Sequence, residues 1–148
     1  MTARPATPFG ALRRRLARSL REAGQTLVEF ALILPIMLLL IFALVDFGRG
    51  FYTWLILTNG AREGARVGAT QQDYNAIVTR IQEATGTLDQ DRLTITLTNV
   101  QGPRGEPIEV DLEYDFEFVT PIGGILNIVS GGNLDAPTIT AHASMRLE

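Results

Sequence analysis

Gly24-Gln25-Thr26-Leu27-Val28-Glu29-Phe30 opens a run that continues as Ala31-Leu32-Ile33-Leu34-Pro35-Ile36-Met37-Leu38-Leu39-Leu40-Ile41-Phe42-Ala43-Leu44-Val45. Between Leu27 and Val45 the only charge is Glu29. At about 1.5 Å rise per residue this stretch reaches roughly 28 Å as a helix, close to the thickness of a bilayer's hydrocarbon core. A carboxylate in such a segment costs about 2.5 kcal/mol or more at mid-membrane and less near the interface, so Glu29 asks for a functional reason.

Charge is distributed unevenly about this run. Lysine and cysteine are absent, and all 13 basic residues are arginine. Arg4, Arg13, Arg14, Arg15, Arg18 and Arg21 precede Gly24 against Glu22 alone, a net of +5. The remainder sets 7 arginines against 15 acids, a net of −8, which completes the overall −3. Arginine clustered before a span marks the cytoplasmic side, so the rest of the chain is expected outside. That rule accounts for the basic stretch without a nucleic-acid partner. A secretory signal peptide requires a small-residue cleavage site after its apolar region, and Val45-Asp46-Phe47-Gly48-Arg49 does not supply one. An anchor that is retained uncut stays open as a further reading. Without cysteine, neither a disulfide framework nor a thiolate zinc site is available.

The spacing from Gly24 to Glu29 resembles the processing site of type IV pilin-like proteins. In that family a membrane peptidase cuts after the glycine, and the fifth mature residue is a glutamate. The resemblance implies cleavage between Gly24 and Gln25, with residues 1–24 as a cytoplasmic basic leader. It also gives Glu29 a partner, the freed amine of Gln25 on a neighbouring subunit, which would meet the need to pair a buried charge. Gln25 departs from the family's apolar aromatic first residue, so methylation of that amine is not assumed.

Beyond the span, residues 47–70 read as a continuation of the same helix outside the membrane. Phe47, Tyr52, Trp54 and Leu55 are side chains of the interface. Asp46 and Arg49 are spaced to pair across one turn. Gly60, Gly64 and Gly68 recur every four residues beside Ala61, Ala65 and Ala69, which makes a smooth face that admits close backbone approach. That face suits either the chain's own sheet or a seam with a second subunit.

Val28-Glu29-Phe30-Ala31-Leu32 with Leu34-Pro35, then Asp46-Phe47-Gly48-Arg49, then Asn59-Gly60-Ala61-Arg62-Glu63-Gly64-Ala65-Arg66, is similar to the TadE-like family, pseudopilins or minor pilins of the tight-adherence (Tad/Flp) pilus machinery. The resemblance is strong over roughly residues 24–70 and weak again over Ile139–Glu148. It implies a structural subunit with a membrane peptidase, other pilin-like subunits, an assembly platform and membrane lipid as partners.

Residues 71–148 read as a small α+β head. Asp73 to Gly86 forms a short helix with Ile77, Val78 and Ile81 on one face. Strands follow at Leu93–Val100, Ile108–Val119 and Ala136–Leu147, with a turn at 101–107. Pro121–Leu134 is glycine-rich with an apolar patch. The expected architecture is therefore α+β: a long N-terminal helix, half transmembrane (25–46) and half amphipathic, packed on an antiparallel sheet of about three strands in the pilin manner.

Chemistry finds little purchase. Glu109, Asp111, Glu113, Asp115 and Glu117 alternate along one strand, about 6.8 Å apart. A calcium site needs ligands that converge, and Asp89, Asp91 or Asp135 would have to close over the ladder to make one. A solvated face, or a contact for a basic partner, suits the ladder better. His142 is the only histidine and lies in an alternating strand. No nucleophile motif, phosphate loop or recognisable carboxylate pocket occurs. Neither an enzyme nor a cofactor or metal site is expected. The rival reading is a single-span, membrane-anchored extracytoplasmic binding domain that does not polymerise.

Overall fold

The computed structural model describes residues 8–132 and 137–148, with side chains from Gly24 onward. Helix α1 spans Pro8–Gln71, α2 Tyr74–Ala84 and α3 Ile122–Val129, with strands β1 (Leu93–Thr98), β2 (Pro107–Asp115) and β3 (Thr138–Arg146). The chain falls into two compact units, one ending at Ile41 and one running from Phe42 to Glu148.

In the first unit α1 carries the apolar run. From Leu27 to Ile41 its large side chains are exposed except Leu34, which is half-buried, and Leu32 and Ile36 keep 69% and 68% of their surface. An intrahelical ladder satisfies the backbone wherever water is missing, which suits this segment to lipid. Pro35 is accommodated inside the helix. The sequence reading starts the helix at residue 25, after the basic leader. The helix instead already runs from Pro8, because Ala11–Ala23 is rich in alanine, leucine and arginine, all strong helix formers. The leader residues before Pro8 lie outside the described residues.

The second unit is built on a three-stranded antiparallel sheet in the order β1-β2-β3. Alternation on β2 sends Ile108, Val110 and Leu112 inward, and all three are fully buried. They meet Leu57, Ala61 and Ala65 of α1 and Ile77 and Ile81 of α2 in one core. Each large aliphatic buried this way contributes about 1.5–3 kcal/mol relative to exposure. The cover that three strands require thus comes from the outer half of α1, with α2 wedged beside it.

Local chemistry sets the breaks. Gln72 takes a left-handed φ of 51° and stops α1. Asp73 then caps α2 by accepting from the Asn75 N–H at 3.0 Å. Asn99, at φ 61°, turns the chain after β1, and its amide donates to the Pro107 carbonyl at 2.8 Å. At the other end, the Glu148 N–H donates to the Ala69 carbonyl at 3.0 Å, and Leu147 is buried.

Two further elements differ from expectation. The alternation from Ile108 reads as strand through Val119, but β2 stops at Asp115. Its ladders end there, at Leu93↔Tyr114 and Thr138↔Asp115, and Phe116 makes the last bond, to the Pro137 carbonyl. The glycine-rich stretch after it contains α3, which had no helical signal because Gly123 and Gly124 depress propensity. The third strand is described from Thr138; Ala136, which the sequence assigns to it, lies outside the described residues, as do Leu134 and Asp135.

Candidate functional site

Gly24, Gln25 and Glu29 all lie on exposed turns of α1. A Cβ added at Gly24 would meet nothing within 4 Å, so the position is open to an approaching molecule. The Gln25 side-chain amide donates to Glu29 Oε1 at 3.1 Å across one turn. An amide satisfies one lone pair but leaves the carboxylate's charge uncompensated. Leu27, Val28, Phe30 and Leu32 stand around it with more than half of their surface free. A carboxylate among exposed aliphatics calls for a cation from outside the chain.

The glycine and alanine rows lie in the second unit and are buried: Gly60, Ala61, Gly64, Ala65, Gly68 and Ala69. A Cβ at Gly60 would fall 2.7 Å from Thr85 Cγ2, and one at Gly64 2.6 Å from Ile81 Cγ1. At Gly68 it would collide with Ile108 Cδ1. The chain's own α2 and β2 therefore occupy the face for which a second subunit was the other candidate. Along its flank, Glu63 Oε2 accepts from Arg66 at 3.0 Å and from Arg80 of α2 at 3.4 Å. The Arg66 hydrogen bond, against some desolvation, holds the Glu63 carboxyl below its ordinary range, and Arg80 adds to it.

Asp46, where the apolar run ends, is 3% exposed. Its Oδ1 accepts the Val119 N–H at 3.1 Å and its Oδ2 accepts the Thr120 hydroxyl. Arg49 sits 3.6 Å from the same carboxylate, donates to the Glu117 carbonyl at 3.1 Å and lies over the Phe116 ring at 5.3 Å. The Asp46–Arg49 pair is visible in the sequence; its attachment to 116–120 is not, because those contacts span about seventy residues. Nearby, Arg92 pairs with Glu117, which keeps the guanidinium's pKa raised.

On the outer face of β2, Glu109, Asp111 and Glu113 stand opposite Ser144, His142 and Thr140 of β3, with threonines of β1 on the other side. His142 Nδ1 lies 2.7 Å from Asp111 Oδ1, so the lone histidine is one half of a cross-strand pair. Among the described residues no three His, Cys, Asp or Glu side chains converge as metal ligands.

By length and composition, α1 from Gly24 onward is able to cross a membrane. Compared with known families, the chain matches the model described as TadE-like protein over residues 24–66. No curated protein and no solved structure matches it. The matched residues begin at Gly24, take in Glu29 and Asp46, and end among the buried glycines. The sheet, α2 and α3 lie beyond them.

Proposed function

We propose, from the premise that this chain is TadE-like over residues 24–66 and so associated with the Tad pilus, that it is a non-enzymatic pseudopilin or minor pilin. In this reading the chain inserts with its arginine-rich end in the cytoplasm and the head outside. A prepilin peptidase cuts between Gly24 and Gln25. The apolar part of α1 then packs among other pilin-like subunits on the assembly platform, for adhesion or secretion. Glu29 is matched there by the freed amine of a neighbour's Gln25. The observation that carries the reading is the family match, which opens on the glycine and includes the lone intramembrane acid. The uncovered run from Leu27 to Ile41 supports it, since such a surface needs lipid or other helices around it.

The burial of Gly60, Gly64 and Gly68 against the chain's own head favours a second reading, an anchored binding domain that does not polymerise. Shearing cells and assaying the released fibres separates the two. The pilin reading expects the chain in the sheared fraction and expects Glu29→Gln to remove it from that fraction while leaving cleavage intact. Recovery from membranes alone, unaffected by Glu29→Gln, would support the anchor.

A further inference from the structure

We infer that α3 is an interfacial membrane helix, which lies in the surface of the same bilayer that α1 crosses and gives the head a second lipid contact. The inference rests on the single-span reading above.

Phe118 to Leu134 carries no charge at all, directly after a stretch that alternates acids from Glu109 to Glu117. Within it, α3 has no buried residue. Ile125, Ile128 and Val129 follow one another at helical spacing and are 41%, 82% and 80% exposed, with Val119 at 69%. Water alone gives such a face no reason to persist. Its position says what covers it. Asp46, the residue that closes the apolar run, binds Val119 and Thr120, and α3 begins two residues later. The start of α3 is thereby tied to the turn of α1 at which the chain leaves the hydrocarbon. Around that turn stand Phe47, Tyr52 and Trp54, all exposed, the side chains that favour the headgroup boundary. An apolar groove of about 490 Å³ opens there too, lined by Phe47, Phe51, Trp54, Phe116, Phe118 and Ile122. At its far end α3 is closed by Gly131 and Gly132, both at positive φ, and the Gly132 N–H returns to the Asn127 carbonyl at 2.8 Å. With no basic residue on α3, the contact is made by apolar burial and does not require anionic lipid.

The chain has no cysteine, so single labels are clean. Full-length protein carrying Ile128→Cys, Leu38→Cys or Thr96→Cys is labelled with an environment-sensitive fluorophore. Each variant is reconstituted at low density into phosphatidylcholine vesicles with or without lipid brominated near the headgroup end of its chains or near the bilayer centre. The expected result is quenching at position 128 by the shallow bromines, about half or more of the maximal quenching seen at position 38 with the deep ones, and none at position 96. Quenching at 38 with none at 128 would overturn the inference and leave the span intact. Quenching at neither would overturn both. No quenching at 128 at low density, with a blue shift of that label's emission only as protein density rises to filament-like packing, would assign the face to a neighbouring subunit and overturn the lipid contact.

Discussion

Gly64 and Gly48 sit on the same helix, yet their substitutions should act in opposite directions. A Cβ at Gly64 would lie 2.6 Å from Ile81 Cγ1, in a core that has no room to give. Gly64→Val should destabilise the head by about 1–3 kcal/mol, read as a lower urea midpoint in detergent. A Cβ at Gly48 meets nothing within 4 Å, so Gly48→Ala should be neutral or stabilise by up to about 1 kcal/mol through helix propensity. Glu63 supplies the pH test. Its folded pKa is depressed, chiefly by Arg66, so below its ordinary range the unfolded chain binds the proton that the folded chain resists. The stabilisation is present above the unfolded pKa, in the ordinary carboxylate range, and is lost as pH falls through the folded value. Acid titration of the melting temperature should therefore fall less steeply in Glu63→Gln than in the parent. At this scale the sequence was informative about spacing and silent about partners. The Gly60-Gly64-Gly68 row announces a close approach, but nothing local says that Thr85, Ile81 and Ile108 make it. Gln25 and Glu29 are one turn apart in any helix, so their contact follows from number alone.

Among the elements, the 116–120 segment depends on α1 for its order. Asp46→Ala removes the acceptor for the Val119 N–H and the Thr120 hydroxyl, at about 1–3 kcal/mol for part-buried donors left without partners. Amide exchange at Val119 should accelerate well ahead of exchange at Val110 or Leu112, whose amides belong to the central strand; equal acceleration everywhere would mean that the whole head had loosened instead. β1, β2, β3 and α2 were legible because period two and period 3.6 are written in neighbouring residues. The end of β2 was not, since alternation continues past Asp115 and only the absence of facing strands stops the ladder. α3 was hidden by its two glycines, and the 3-10 turn at Gln90–Arg92 is too short to leave a pattern. The early start of α1 at Pro8 is masked for a different reason: the arginines of residues 13–21 signal orientation as strongly as helix propensity.

On the scale of the whole molecule, α1 is apolar and, Leu34 apart, exposed from Leu27 to Ile41, and the core of the head lies within Phe42–Glu148. In the proposed pilin reading, a head that buries its own small-residue face leaves polymerisation to the apolar run and to Glu29. On the same reading, the net +5 of residues 1–24 would serve insertion and would burden a helix packed among its copies, which would give removal at Gly24 a physical purpose. The most direct measurement is the intact mass of the chain recovered from cells that hold the cognate peptidase, beside the same chain with Gly24 replaced by a bulky residue. The account predicts a wild-type mass that begins at Gln25 and a substituted chain that keeps its leader. A wild-type mass beginning at Met1 or Thr2 in those cells would contradict it.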